Sequence, residues 1–274
     1  MKAILLLLLA PLAAPLAAQG VLIAPTAVFV DARVRTGSLL LVNPNDEPAE
    51  IEIGTLYGYP VTDSLGRISL HTIEQPDSTE PSAAAWIRIF PRRVTIAPKG
   101  QQTVRLLVSP PPGIPDREYW ARLVITARGG HVPLSTQGDT TGVTVGLTVE
   151  VRTILPLLYR KGKPSTAPVL SDLRTVREGD SLVVRAKLAR EGDAALLASV
   201  RGELVDSTGR VRGEFLTPIS AYYPIEPRFA MAVDTIPPGS YQLRVEVASN
   251  RQDLPADALL PFRLLRDSVS VRLP

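Results

Sequence analysis

Between residues 143 and 152 apolar and polar side chains alternate without a break. Val143, Val145, Leu147, Val149 and Val151 fall on one side, and Thr144, Gly146, Thr148, Glu150 and Arg152 on the other. Neighbouring side chains of a strand point to opposite faces, so this pattern predicts one long β-strand with an apolar and a polar face. The apolar face either completes a sheet of its own chain or is offered to another protein. Further along, Pro156 has no amide hydrogen to give and is expected to end regular pairing on one side of the strand.

The chain upstream reads as a series of shorter strands. Residues 21–30 form one that Pro25 interrupts, which suits an edge strand or a switch between sheets. Strands follow at 37–43 and 49–57, separated by the turn Asn43-Pro44-Asn45-Asp46. Residues 60–85 read as a long polar connection carrying one short strand at 67–72. Strands are then expected at 85–90, 101–108 and 119–127. Residues 129–142, with four glycines and no apolar run, read as a flexible loop leading into the long strand. Lys161-Gly162-Lys163-Pro164 breaks the pattern and reads as a hinge. Beyond it, strands are expected at 181–189, 198–205, 210–215, 228–233, 236–247 and 267–273. The turn Pro237-Pro238-Gly239 places Tyr241 where a sandwich uses a tyrosine hydroxyl to lock its corner.

Proline is abundant, with twenty-six residues that fall mostly between short apolar segments, and capped runs of helical period are hard to find, so both halves read as all-β, sandwich rather than barrel. The first twenty residues, MKAILLLLLAPLAAPLAAQG, carry one lysine, an apolar run and then small residues. They read as a secretory signal, cleaved after Ala18 or Gly20, because the apolar run is short for a membrane anchor and is broken by Pro11 and Pro15. No later stretch has transmembrane length. The remaining chain, about 255 residues, is long enough for two domains, expected at 21–160 and 161–274.

There is no cysteine, so packing rather than disulfides carries stability, and no thiolate metal site is possible. The formal charge of +3 is spread along the chain, without the basic stripe that nucleic acid or a membrane surface would need. His71 and His131 stand alone and read as strand or surface residues rather than ligands. No nucleophile motif, phosphate loop or zinc-binding pair is present, and Asp116 with Glu118 is a carboxylate pair explained by its turn. The reading is a protein that is not an enzyme and takes no cofactor or metal.

An ordered set of short signatures carries a resemblance. Ile89-Phe90-Pro91, Ile96-Ala97-Pro98-Lys99-Gly100, Gln102-Thr103-Val104-Arg105-Leu106, Ile114-Pro115-Asp116-Arg117-Glu118 and Leu158-Tyr159-Arg160 follow one another across residues 21–162. In this order they resemble the PapD-like periplasmic chaperones of chaperone-usher pilus systems. The resemblance implies two immunoglobulin-like β-sandwiches in tandem and a periplasmic location, an extracellular or cell-surface one being the alternative. It also implies partners: secreted pilus-type subunits that lack a strand, and an outer-membrane usher. Strand addition gives affinity through main-chain hydrogen bonds, and alternate side chains fill the partner's pockets. Val143, Val145, Leu147, Val149 and Val151 are the residues that would do so here.

The family grips its subunit's terminal carboxylate with an arginine near the first strand and a lysine on the donor strand. Thr26 and Pro156 occupy those positions, so Arg33, Arg35 and Arg152 become the candidate anchors, with Arg160 and Lys161 also available. The family's interdomain ion pair is matched by Glu118 and Arg160. The alternative function is a structural or adhesive envelope protein of two sandwiches without chaperone activity.

Overall fold

A computed structural model describes residues 20–133 and 146–274, with side chains described over 20–129 and 149–274. Residues 1–19, which hold most of the expected signal, and Val143 and Val145 lie outside the described residues. No helix among those described is long and apolar enough to cross a membrane.

The first half contributes β1 (Leu22–Ala24), β2 (Val28–Asp31), β3 (Thr36–Val42), β4 (Ala49–Thr62), β5 (Ile68–Ile73), β6 (Ile87–Phe90), β7 (Arg93–Ile96), β8 (Gln101–Val108), β9 (Glu118–Pro133) and β10 (Gly146–Arg160). One sheet runs β1-β3-β8-β6; the facing sheet runs β2-β10-β9-β4-β5, with β7 on the side of β4. The two inner faces follow from alternation. In β8, Val104, Leu106 and Val108 are buried while Thr103, Arg105 and Leu107 face solvent. They meet Leu39, Ile53, Leu123, Ile125, Leu155 and Leu157 in one core. Pro25 makes the expected switch: β1 pairs with β3 in one sheet, and β2 crosses to run parallel to the end of β10 in the other.

The second half forms β11 (Thr166–Glu178), β12 (Ser181–Gly192), β13 (Leu196–Val205), β14 (Val211–Ala221), β15 (Arg228–Ala232), β16 (Gly239–Ala248) and β17 (Leu265–Leu273). Sheets β11-β12-β15 and β14-β13-β16-β17 enclose a second core. Tyr241 locks its corner, its hydroxyl donating to the Pro237 carbonyl at 2.6 Å. Tyr119 does the same in the first half, donating to Pro115 at 3.0 Å. Both halves are immunoglobulin-like sandwiches, each pinned at one corner by a tyrosine bonded to a proline carbonyl four residues back.

Three expectations need correction. Residues 129–133 belong to β9 rather than to a loop. Between Thr148 and Glu150 of β10 the register moves from His131 to Arg128, so β9 carries an extra residue at Gly129 and Gly130, a β-bulge. A Cβ on Gly129 would come within 2.9 Å of the Pro48 carbonyl oxygen, which explains the glycine. Strands β7 and β11 are absent from the sequence reading, because proline-flanked and charge-rich segments hide their alternation.

The third correction concerns residues 60–85. β4 outruns the sandwich, and its last residues, Tyr57 to Thr62, pair with β5 in a two-stranded ribbon. The ribbon's tip leans on the second half. The Arg228 amide donates to Gly66 O at 3.0 Å, Arg185 Nη1 to Ser64 O at 2.9 Å, and the Glu226 amide to Thr62 Oγ1 at 2.8 Å. Gly66 has φ of 77°, and a Cβ there would lie 2.8 Å from the Arg228 nitrogen. Valine at this position is therefore both strained and obstructed. Gly66→Val is expected to free the Arg228 amide and cost about 1–3 kcal/mol. Faster hydrogen exchange at Arg228 and a lower denaturant midpoint would report it; unchanged exchange would show that the tip is not docked this way.

Candidate functional site

Two features of the structure can serve a partner: the exposed edge of β10, and the cleft where the two sandwiches meet. From Gly146 to Arg160 β10 pairs with β9, with one bulge, but among the described residues only Leu157 to Arg160 are paired on its other side, with β2. The Arg160 carbonyl accepts the Ala32 amide at 3.0 Å on that side. Successive peptide groups of a strand alternate in direction, so the even-numbered residues back to Glu150 present their N–H and C=O groups to the same side. Glu150, Arg152 and Ile154 thus present a backbone edge with no partner strand among the described residues, and the odd-numbered residues hold the ladder to β9. Pro156 stands among the even set. Its missing amide interrupts the outer edge where β2 begins, while pairing with Arg122 of β9 continues.

The odd-numbered face leads from the core outward. Leu155, Leu157 and Tyr159 are buried, Thr153, Val151 and Val149 are half-buried, and Leu147 pairs through its backbone with Val132. Val149 and Val151 are therefore a continuation of the chain's own core face. Across the opposite face, Arg128 bridges Glu150 at 2.8 Å and Glu52 at 3.8 Å.

Glu118 and Arg160 meet as cross-strand neighbours of β9 and β10, with Arg160 Nε 2.7 Å from Glu118 Oε2. This pair lies within one sheet. The link to the second half runs through the other carboxylate oxygen, which accepts the Ala195 amide at 2.9 Å and Trp120 Nε1 at 2.9 Å. The Glu118 amide in turn donates to Asp193 O at 3.2 Å. Glu118 is fully buried, whereas Asp116 is exposed and pairs with Lys161 at 3.1 Å.

Around this carboxylate, Tyr57, Trp120 and Leu158 of the first half pack against Ala195, Leu197 and Tyr222 of the second. Trp120 meets Tyr222 edge-on, ring centroids 4.8 Å apart. At the margin, Glu80 accepts the Tyr57 hydroxyl at 2.6 Å and the Tyr223 hydroxyl at 2.8 Å. Burial first, then the Glu80 carboxylate, push the Tyr57 phenol far above its ordinary value, so it stays a donor.

Beside this joint lies a cleft of about 470 Å³, and both Thr26 and Pro156 line it. Arg33, Arg35 and Arg152 do not. Arg33 and Arg35 are exposed in the turn after β2, and Arg152 sits on the polar face of β10, 3.6 Å from Glu150. Arg160 is committed to Glu118 and Lys161 to Asp116. The cations in the cleft walls are Arg122 and Arg251, which sequence reasoning missed. The signal for Arg122 is visible afterwards: in Glu118-Tyr119-Trp120-Ala121-Arg122 it is a charge in an otherwise buried stretch of strand. Thr26 Oγ1 reaches the Asp253 carbonyl at 3.4 Å, tying the first strand region to the second half. His71 is exposed, its ring tilted against Tyr59 with centroids 5.4 Å apart; among the described residues no three potential metal ligands cluster.

No protein-family model matches the chain, and neither does any characterised protein sequence. Among solved structures it is similar to the CupB2 chaperone of Pseudomonas aeruginosa, at 15% identity over 92% of this chain and 100% of that one, with a TM-score of 0.40. It is similar to the CsuC–CsuE chaperone–tip adhesion subunit complex of Acinetobacter baumannii, from archaic chaperone-usher pili, at 14% identity over 90% and 97% of the chains, TM-score 0.45. A third is the Salmonella enterica SafA pilin in complex with the SafB chaperone, at 15% identity over 91% and 96%, TM-score 0.41. At these identities the likeness is one of fold.

The joint makes a sharp contrast between two neighbouring carboxylates. Glu118→Ala leaves a guanidinium, an indole N–H and a main-chain N–H without their acceptor in a buried place, and is expected to cost about 3–5 kcal/mol. Asp116→Ala removes an exposed pair and is expected to cost less than about 1 kcal/mol. Urea unfolding of both variants measures the difference; equal, small losses would show that Glu118 does not hold the joint.

Proposed function

We propose that the chain is a periplasmic chaperone-like protein that holds secreted β-sandwich subunits lacking a strand, by adding β10 to the gap. The observation that carries this reading is the backbone edge at Glu150, Arg152 and Ile154, which has no partner strand among the described residues, on a strand whose apolar alternation continues in the sequence through Leu147 toward Val143. An exposed edge gives main-chain hydrogen bonds to any strand in register, and the apolar side chains give selectivity. Val143, Val145, Leu147, Val149 and Val151 would enter the partner's open core, extending the face that already carries Leu155 and Leu157. The resemblance of the sequence signatures to pilus chaperones supplies the class of partner, including an usher that would receive the subunit. Glu118 and Arg160, through Ala195, would keep the two sandwiches in a fixed relation while the subunit is held.

One observation favours the second reading, a structural or adhesive envelope protein. Val149 and Val151 are half-buried and share the core face, so the strand also serves its own sheet. The direction of the peptide groups separates the two readings. Arg152→Pro removes an amide from the outer edge only, as Pro156 already does, and is expected to leave the fold intact. Thr153→Pro breaks the ladder to β9 and is expected to cost about 3 kcal/mol or more. Under strand addition, Arg152→Pro and Leu147→Asp both lose a co-expressed pilus-type subunit in pull-down while keeping the wild-type melting temperature. Retention of the subunit by both folded variants would instead support the envelope-protein reading.

A further inference from the structure

The apolar face of the long strand cannot by itself fix where an added strand sits. Val143, Val145, Leu147, Val149 and Val151 are nearly uniform at every second position. A slip of one residue turns the wrong side chains to the core, but a slip of two only exchanges one such neighbour for the next. The even-numbered positions are not uniform. After Thr144, Gly146 and Thr148 they read Glu150, Arg152 and Ile154: an anion, a cation and an apolar residue.

The chain's own sheet leaves these three unequally served. Arg93, Glu52, Arg128, Glu150 and Arg152 alternate in sign across β7, β4, β9 and β10, with successive separations of 2.8, 3.8, 2.8 and 3.6 Å. Each member inside this row has two neighbours of opposite charge. Arg152 ends the row beside the outer edge of β10. Among the described residues its one carboxylate neighbour is Glu150, whose Oε2 already accepts Arg128 Nε at 2.8 Å. Across the ladder Arg152 faces Thr126, which carries no charge. Its side chain is 68% exposed, so the bond to Glu150 is a weak surface pair that a better acceptor can replace. Ile154, next on the same face, is 42% exposed. A strand laid along this edge extends the row by one place, and the sign that continues it is negative.

We infer that Arg152 sets the register of the added strand by pairing with an aspartate or glutamate on that strand's solvent face, while an apolar residue two positions from the acid covers Ile154. The inference rests on the strand-addition reading and gives the partner a chemical feature: an acid and an apolar residue, two positions apart, on the side of its exposed strand that faces away from its core. A lysine or arginine in place of the acid sets like charges side by side and is disfavoured.

Synthetic peptides test this against the mature chain. Their inward positions are valine, and their solvent-facing positions are threonine except for one glutamate, glutamine or lysine with a leucine two residues on. Fluorescence anisotropy is expected to give the glutamate peptide an affinity about three- to tenfold above that of the lysine peptide at low salt, the difference shrinking as salt is added. Arg152→Glu is expected to reverse the order, and Arg152→Gln to remove it. The chain has no cysteine of its own, so Ile154→Cys offers a single thiol for disulfide trapping. Among peptides carrying a cysteine at successive solvent-facing positions, the one trapped is expected to have it two residues from the glutamate, and moving the glutamate by two residues is expected to move the trapped position with it. Equal affinity of the glutamate and lysine peptides, or a trapped position that does not follow the glutamate, overturns the inference and leaves strand addition standing. Binding of none of the peptides counts against strand addition itself, and the register assignment falls with it.

Discussion

The Glu118 carboxylate is the interaction on which the arrangement of the two sandwiches depends. A buried carboxylate is tolerated only when its oxygens are met by donors, and here each donor comes from a different part of the molecule. Arg160 comes from the end of β10, Trp120 from β9, and the Ala195 amide from the second sandwich. The charge therefore fixes the exit of β10 and the seat of the second half at once. The aromatic packing of Trp120 on Tyr222 and the docking of the ribbon tip on Arg228 act on two further sides of the same joint. With contacts on several sides, rotation of one half against the other has to break more than one of them.

That joint gives the free part of β10 a defined geometry. The strand is anchored at its C-terminal end by β2 on one side, β9 on the other and Glu118 at Arg160. Toward Glu150 its one partner among the described residues is β9. Its side chains and its peptide groups have separate uses: the odd side chains point to the core, and the even peptide groups point to the open edge. A polar partner that needed side chains alone could not use the edge, and an apolar partner with no free backbone could not pair with it. A strand-shaped partner satisfies both.

Much of the fold was legible because half-buried strands announce themselves by alternation. Val104, Leu106 and Val108 were assigned correctly, as were the switch at Pro25 and the corner at Tyr241. The failures have physical causes. β7 is a strand of four residues, too short for its alternation to stand out between prolines. β11 carries Arg174, Arg177 and Glu178 on an edge with a register shift, which masks its period. Gly129 and Gly130 read as a loop because glycine marks both turns and bulges, and only the approach to Pro48 distinguishes them. The pairing of Glu118 with Arg160 was legible in the sequence, but the cleft was not. A cation becomes part of a cleft by what lies across from it in space, and Gly58 and Tyr222 are distant from Arg122 in sequence.

Thr26 and Pro156 acquire a different meaning from that geometry. Neither bears a charge, yet both line the cleft, and each defines one of its limits. Pro156 ends the free edge of β10 where β2 takes over, so a strand added along that edge stops at the mouth of the cleft. Thr26 lies in the bend between β1 and β2 and reaches across to Asp253, closing the cleft on the far side. The cation that serves this space comes from the neighbouring strand, because Arg122 stands directly opposite Pro156 in the β9–β10 register. A proline opposite an arginine leaves the guanidinium with a flat, apolar neighbour that competes for none of its hydrogen bonds. The sequence positions that lack a charge thus border the place where Arg122 of the adjacent strand brings one into the cleft.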